Sequence, residues 1–440
     1  MKNPRPTTRR TFLKQSAAVA GLSQAPYFVS SSVFAKPNRP APSDRITVGC
    51  IGLGGKGRRN MTEFAKEPDS EVVALCDLDQ AHLKLAQETL AGVKGSPTVS
   101  KVTRDFREIV SDSGIDAVSI ATPDHWHALT TIAAAKAGKD IYCEKPLANS
   151  VMEGRAMCEA AQQHKVVLQT GSHERSRSTI RYACELALNG YLGEIHTIRI
   201  QMPTDQAHHM QARELVSMPK KQEVPEGFDY DMWLGHTAEV PYYEERCHFW
   251  WRFQLAYGGG EMTDRGAHIL DIAQMALGKD RSGPVRFEAK GTRNESGLYD
   301  AFMDFQFVNT YDNGVKVVGD NSGPRGLELI GSDGKIFIAI HGGKLTADPV
   351  SLLDINLAKE DYILGRSPGH FRNFLDCVKS REEPVATGEF GHRTSTICHL
   401  NNIAMITGRT LEWDPEREVV LNDPEANGML LPKMRHPWSI

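Results

Sequence analysis

From residue 45 the chain alternates short β-branched runs with longer amphipathic stretches. "RITVGCI" leads into helix-like "RRNMTEFAKE", "EVVALCD" into "AHLKLAQETL", and "DAVSIATPDHWHA" into the Ala-rich "LTTIAAAKAGK". "DIYCEKPLA" then precedes "MEGRAMCEAAQQH", and a last strand falls at "VVLQTGS". Strands separated by helices of this length predict parallel βαβ units. Residues 44–170 therefore read as a doubly wound parallel sheet. After residue 190 the pattern changes. "GEIHTIRIQMP", "GPVRFEAKGTR", "AFMDFQFVNTYDNGVKVVGDN", "GLELIGSDGKIFIAI" and "GGKLTAD" alternate apolar and polar positions, and Asp-Asn-Gly and Ser-Asp-Gly mark hairpin turns. These predict an α+β second domain, 171–440, with an open, mostly antiparallel sheet. Its helices fall at 258–278, "GHFRNFLDCVKSR" and "STICHLNNIAMITG", and an extended tail from "WDPER" runs over the surface. The 258–278 segment, "GGGEMTDRGAHILDIAQMALG", places Asp264 and His268 on one helical face, one turn apart.

Residues 1–35 follow neither pattern. "TTRRTFLKQSAAVAGL" puts Arg9 and Arg10 before a modest apolar stretch, and Ala35 offers a small residue for cleavage. That resembles a twin-arginine export signal. It predicts a periplasmic or secreted protein whose partner during export is the twin-arginine machinery, with a proline-rich linker at 36–43. Residues 1–35 carry five basic residues and no acids, so removing them takes the formal net charge from −4 to −9. Such a balance argues against a nucleic-acid or anionic-membrane partner. No apolar run is long enough to span a bilayer. The eight cysteines form no Cys-x-x-Cys pair, and several sit inside apolar strand-like runs. They read as buried free thiols rather than a disulfide framework.

Gly52, Gly54 and Gly57 form G-x-G-x-x-G between a predicted strand and a predicted helix, with Leu53 in the turn. In that context the motif is a Rossmann dinucleotide fingerprint. The first glycine permits the turn, the second lets backbone approach a pyrophosphate, and the third allows close helix–strand packing. Asp77 ends the next strand, where a carboxylate accepts from a ribose 2′-OH and repels a 2′-phosphate. NAD is therefore favoured, with NADP left open by Arg58 and Arg59. Thr122, Pro123 and His127, at the end of the strand in "ATPDHWH", are placed along the cofactor. For His127 a purely structural role stands beside that reading.

Glu144-Lys145-Pro146 ends the strand after Thr-Pro-x-x-x-His, behind the glycine fingerprint. This combination resembles the Gfo/Idh/MocA oxidoreductase family over nearly the whole chain after the signal. The resemblance implies a Rossmann domain followed by an open-sheet domain, an active site between them, a nicotinamide cofactor and assembly as dimers or tetramers. It places Glu144 and Lys145 beside the cofactor and makes Lys145, Asp264 and His268 the catalytic set. The chemistry agrees. An ammonium stabilises a developing alkoxide, and an imidazole takes the hydroxyl proton as hydride leaves the same carbon. The spacing leaves open whether Asp264 orients the imidazole or binds a substrate hydroxyl.

"ERCHFWWRFQLAYGGG" offers Trp250, Trp251 and Tyr257 to stack on a sugar and Arg252 to bind its hydroxyls. His173 and Arg175, after the last Rossmann strand, are further substrate candidates. His208 and His209 invite a metal, but no carboxylate or cysteine completes a ligand spacing, so none is assigned. Three functions follow. The first is an NAD(P)-dependent oxidoreductase acting on a secondary alcohol of a sugar, cyclitol or glycoside. The second is a glycosidase that oxidises, eliminates and re-reduces with tightly held NAD, which suits a compartment without a soluble NAD pool. The third is a non-catalytic sugar-binding protein.

Overall fold

The computed structural model describes residues 40–93 and 99–440. The export-signal segment, 1–35, and residues 36–39 of the linker lie outside them.

Six strands form the first sheet: β1 (Ile46–Ile51), β2 (Ser70–Cys76), β3 (Lys101–Thr103), β4 (Ala117–Ile120), β5 (Asp140–Cys143) and β6 (Leu168–Thr170). They lie in the order β3-β2-β1-β4-β5-β6 and pair in parallel throughout. The central strands are apolar on both faces because helices cover both, and β4 and β5 are buried at every position. The strand order reverses between β1 and β4, which opens a crevice at their carboxyl ends.

The second sheet contains β7 (Ile195–Gln201), β8 (Arg286–Thr292), β9 (Asp304–Thr310), β10 (Lys316–Asp320), β11 (Gly326–Gly331), β12 (Lys335–Ala339), β13 (Leu345–Asp348), β14 (Leu411–Asp414) and β15 (Val419–Val420). Its order is β13-β12-β11-β7-β10-β9-β8-β14-β15. The β10–β7 pair is parallel and the others are antiparallel. The alternation seen in the sequence puts Ile198, Ile200, Phe305, Phe307, Ile336 and Ile338 on one face. There they pack with Ile269, Ile272, Ile397 and Leu400 of the helices Gly266–Ala276 and Gly388–Thr407. The Asp-Asn-Gly and Ser-Asp-Gly segments turn β9 into β10 and β11 into β12.

Three features differ from the sequence reading. The tail does not simply cover the surface: β14 and β15 extend the sheet by antiparallel pairing. The helix His370–Ser380 leaves the second sheet and packs Phe374, Leu375 and Val378 into the first domain's core with Val48, Phe64 and Tyr142. The 258–278 segment is two helices, Glu261–Asp264 and Gly266–Ala276, with Arg265 between them. All eight cysteines are free thiols. Among the described residues no helix is long and apolar enough to cross a membrane.

Candidate active site

A cavity of about 730 Å³ opens where β1, β4 and β5 end. The glycine turn forms one end of it. Gly52 has φ +80°, and a Cβ there would lie 2.6 Å from the Thr122 amide nitrogen, so only glycine fits. A Cβ on Gly57 would lie 1.8 Å from the Gly52 carbonyl oxygen. Gly54 and Gly55 face nothing within 4 Å, leaving an open cradle at the start of the Gly55–Lys66 helix. Backbone N–H groups of a helix start favour an anion there, so the residues fit a dinucleotide pyrophosphate. Gly52, Gly54 and Asp77 line the cavity; the Leu53 side chain is buried in the core. The Asp77 carboxylate accepts from the Leu53 amide at 2.6 Å and the Asp79 amide at 2.9 Å, which fixes the turn. Arg59, one of the two arginines that left NADP open, also lines the cavity, as does Lys56, which was not singled out from sequence because it read as an ordinary surface charge of a helix.

Thr122, Pro123 and His127 line the cavity too. The His127 ring lies 2.9 Å from the Pro146 carbonyl and 3.1 Å from that of Thr122, so it joins the two loops that carry the site. Glu144 is buried, with Asn60 Nδ2 at 2.9 Å and Lys56 Nζ at 3.2 Å. Burial opposes its charge, but Lys56 and Asn60 outweigh it and keep the carboxyl below its ordinary range.

At the other end Lys145, Asp264 and His268 meet across the two domains. The Lys145–Pro146 peptide is cis. Lys145 Nζ donates to Asp264 Oδ1 at 2.7 Å and to the Asp264 carbonyl at 2.8 Å. Arg252 Nε lies 3.5 Å from the same carboxylate oxygen. Burial would raise the Asp264 carboxyl, but Lys145 and Arg252 hold it well below its ordinary range. Asp264 thus pairs with the lysine, a partnership that the spacing did not suggest. His268 is 6% exposed and its Nδ1 has no hydrogen-bond partner. Burial, with Lys145, His173 and His341 nearby, pushes its pKa well below the usual imidazole value.

A histidine cluster surrounds it. The His173 and His341 rings stand edge-on to His268, with centroids 5.0 and 4.7 Å away. Glu174 Oε1 lies 3.0 Å from both His173 Nε2 and His341 Nδ1. Arg325 Nη2 donates to His341 Nε2 at 2.9 Å, so the His341 proton sits on Nδ1, facing Glu174. His341 has φ +67°, a strained conformation for a non-glycine residue. No motif in the sequence pointed to it; the "HGG" turn after a strand was its only signal.

The other predicted contacts divide. His173, Trp251 and Arg252 line the cavity, and the Arg252 guanidinium stacks 4.4 Å above the Trp251 ring. Arg175 is not brought there. It is 2% exposed and held by Asp271 at 2.7 Å and Asp280 at 2.6 Å, because a buried guanidinium needs carboxylate partners. Tyr257 is buried beneath the wall against His125 and Trp233. Trp250 stacks on Tyr299 instead of facing the cavity. The fold also supplies the carboxylate that sequence spacing denied to His208 and His209. Glu261 Oε1 lies 2.9 Å from His209 Nε2, while its other oxygen lies 2.9 Å from Arg265 Nε.

Comparison with known proteins places this geometry. Residues 46–172 match the oxidoreductase family's NAD-binding Rossmann fold, and residues 177–440 match its C-terminal alpha/beta domain. A myo-inositol 2-dehydrogenase of Thermotoga maritima is 24% identical over 359 residues, 79% of this chain and 92% of its own. An alpha-N-acetylgalactosaminidase of Shewanella oneidensis is 32% identical over 216 residues, 44% of this chain and 47% of its own. The structure of scyllo-inositol dehydrogenase from Lactobacillus casei, with NAD(H) and scyllo-inositol bound, superposes with a TM-score of 0.59 at 19% identity. That superposition covers 84% of this chain and 99% of the other. With both halves matched in order and the glycine turn shaped for a dinucleotide, the chain belongs to the Gfo/Idh/MocA oxidoreductase family and carries its NAD-binding domain.

Proposed function

We propose that the protein oxidises or reduces a secondary alcohol of a sugar, cyclitol or glycoside. The observation that carries this is the meeting of Lys145, Asp264 and His268 in the same cavity as the glycine turn. NAD, when bound, supplies the hydride acceptor or donor. Gly52, Gly54, Gly57 and Asp77 shape its binding turn, with Thr122, Pro123, His127 and Glu144 beside them. The Lys145 ammonium, held by Asp264, donates to the reacting hydroxyl and stabilises the alkoxide as it forms. His268, kept neutral by burial, accepts the hydroxyl proton. Trp251, Arg252 and His173 offer an apolar edge and donors to the rest of the sugar. The relatives' named activities on inositols support this substrate class. The purified protein, incubated with a panel of cyclitols, free sugars and glycosides, is expected to give a reduced-nicotinamide signal with at least one. A panel that yields none, at any pH, with NAD bound, overturns the reading.

A second reading has its own support. The relative named as a glycosidase is 32% identical over the stretch it shares. The twin-arginine segment proposes an exported enzyme, for which a cofactor recycled in place is the workable arrangement. Aglycone release without net reduced cofactor would favour it, and cell fractionation tests the export.

A further inference from the structure

Five acids line the cavity: Asp77, Asp79, Asp124, Glu144 and Asp264. Four have partners. Asp77 accepts from Leu53, Asp79 from Ala81, Glu144 from Asn60, and Asp264 from Lys145. Among the described residues the Asp124 carboxyl alone in this set has no hydrogen bond or ion pair, although Asp124 is only 4% exposed. Buried polar groups are almost always bonded, and an unpaired carboxyl in a cavity wall calls for a functional explanation.

Its place in the wall is defined. A Cβ on Gly258 would lie 3.3 Å from Asp124 Oδ2 and 2.8 Å from Trp251 Cζ3, so the carboxyl and the indole edge flank one glycine. The Trp251 ring carries the Arg252 guanidinium, and Arg252 faces Asp264, which holds Lys145. Asp124, Trp251, Arg252, Asp264 and Lys145 thus line one cavity, with Asp124 beside the tryptophan and within the field of the lysine. A sugar whose reacting hydroxyl sits at Lys145 presents a different oxygen to Asp124. An ionised carboxylate buried without a partner is costly, so the group is neutral and carries a proton. Burial drives its pKa well above the usual carboxyl range, and Asp264 and Glu144 add to that, against Lys145 and Arg252.

We propose that Asp124 is a second acid of the site, which gives its proton to the departing oxygen when an oxidised glycoside sheds its substituent. The proposal rests on the hydride-transfer reading above. Once the hydroxyl has become a ketone, His268, having passed its first proton to solvent, removes the proton from the adjacent carbon. That electron pair forms a carbon–carbon double bond. The bond from the next carbon to the substituent oxygen breaks, and the oxygen leaves with its electron pair and the Asp124 proton, as an alcohol. Water then adds to the double bond: its oxygen bonds the carbon that lost the substituent, Asp124 recovers one of its protons, and His268 returns its proton to the adjacent carbon. The hydride returns to the ketone and the alkoxide regains a proton from solvent through His268, so no further oxidant or reductant is consumed.

Asp124→Asn keeps the shape and removes the transferable proton. Methyl and nitrophenyl glucosides, galactosides and N-acetylgalactosaminides serve as probes, because a methoxide needs protonation to leave and a nitrophenolate does not. The ratio of methyl to nitrophenyl release is expected to fall about 100-fold or more in the variant holoenzyme, the usual size of a general-acid effect. Asp124→Ala should show the same fall, with added formate restoring methyl-glycoside release. An unchanged ratio in both variants overturns the proposal, whether the two rates hold or drop together. So does weaker NAD binding as the sole effect. If the parent protein gives reduced nicotinamide but frees no aglycone from any probe, the Asp124 assignment falls and hydride transfer stands. If the parent neither gives reduced nicotinamide with any sugar nor frees aglycone from any probe, both fall.

Discussion

Lys145 and Asp264, 119 positions apart in the chain, form a direct pair at 2.7 Å that joins the two domains at the cavity. The carboxylate also receives Arg252, so it remains ionised and keeps the ammonium pointed into the site. Lys145→Ala is expected to lower the hydride-transfer rate by about 10²–10⁴, the size of a lost oxyanion or proton-transfer group. NAD binding, read by fluorescence titration, should persist, because the glycine turn lies at the other end. Asp264→Asn should lower kcat less than Lys145→Ala, since it loosens the lysine without removing it. Full-rate turnover by Lys145→Ala on the true substrate contradicts the assignment.

The depressed His268 pKa sets a pH profile. A base is active when unprotonated, and here the imidazole loses its proton at a lower pH than usual. Rate versus pH should therefore stay flat through pH ~6.5, the ordinary imidazole value, and fall only well below it. Arg325 is one of the positive groups that hold the value down. Arg325→Gln should move the acid limb upward, and initial-rate measurements across pH will show the shift or its absence.

The glycine turn separates two costs. Gly57→Ala would place a methyl 1.8 Å from the Gly52 carbonyl, so it should destabilise the fold by roughly 1–3 kcal/mol, as overpacking does. Gly54→Ala meets no protein atom within 4 Å. It should leave the melting temperature unchanged and weaken NAD instead, because its methyl occupies the cradle. Equal effects of both on stability would show that the cradle is not a ligand surface.

How much of this was legible beforehand follows from range. Gly52, Gly54 and Gly57 and the βαβ rhythm are local signals, since turn geometry and strand–helix alternation depend on neighbours in sequence. Lys145, Asp264 and His268 were found because short motifs carry them. Their partnership was not legible: helical spacing joined Asp264 to His268, while the fold joined it to Lys145 from another domain. Trp251 and Tyr257 looked alike in an aromatic run, and burial alone separated a wall residue from one beneath the wall. Asp124 lay inside a motif read for its proline and histidine. What marks it is the lack of any partner, which only three-dimensional packing reveals.

Arg175 illustrates the same limit and gives a test. Its position after β6 suggested a substrate contact, yet both its carboxylate partners belong to the second domain's framework. Arg175→Ala would strand the buried Asp271 without its counter-ion, which should cost about 3–5 kcal/mol. At a temperature where the variant is folded, its KM should match the parent's. A raised KM with unchanged stability would return Arg175 to the substrate site.

Four other imidazoles contribute to the acid stability. His125 and His370 are pushed down to about 3, and His236 and His399 to about 4, with burial the leading cause in each. Unfolded, each returns to about 6.5. Between those values the unfolded chain binds protons that the folded chain does not, so stability is complete above pH ~6.5 and declines as pH falls toward the folded values. Near pH 5 these four alone contribute about four protons taken up on unfolding, a share of the slope of roughly 5 kcal/mol per pH unit if the sites act independently. Urea unfolding at pH 7, 6 and 5 reads this slope directly. His399→Gln keeps a donor for the Ala148 carbonyl, 2.9 Å from His399 Nε2, and removes the titrating ring. It should lower the proton uptake by one, and an unchanged slope would mean that His399 is already protonated in the fold.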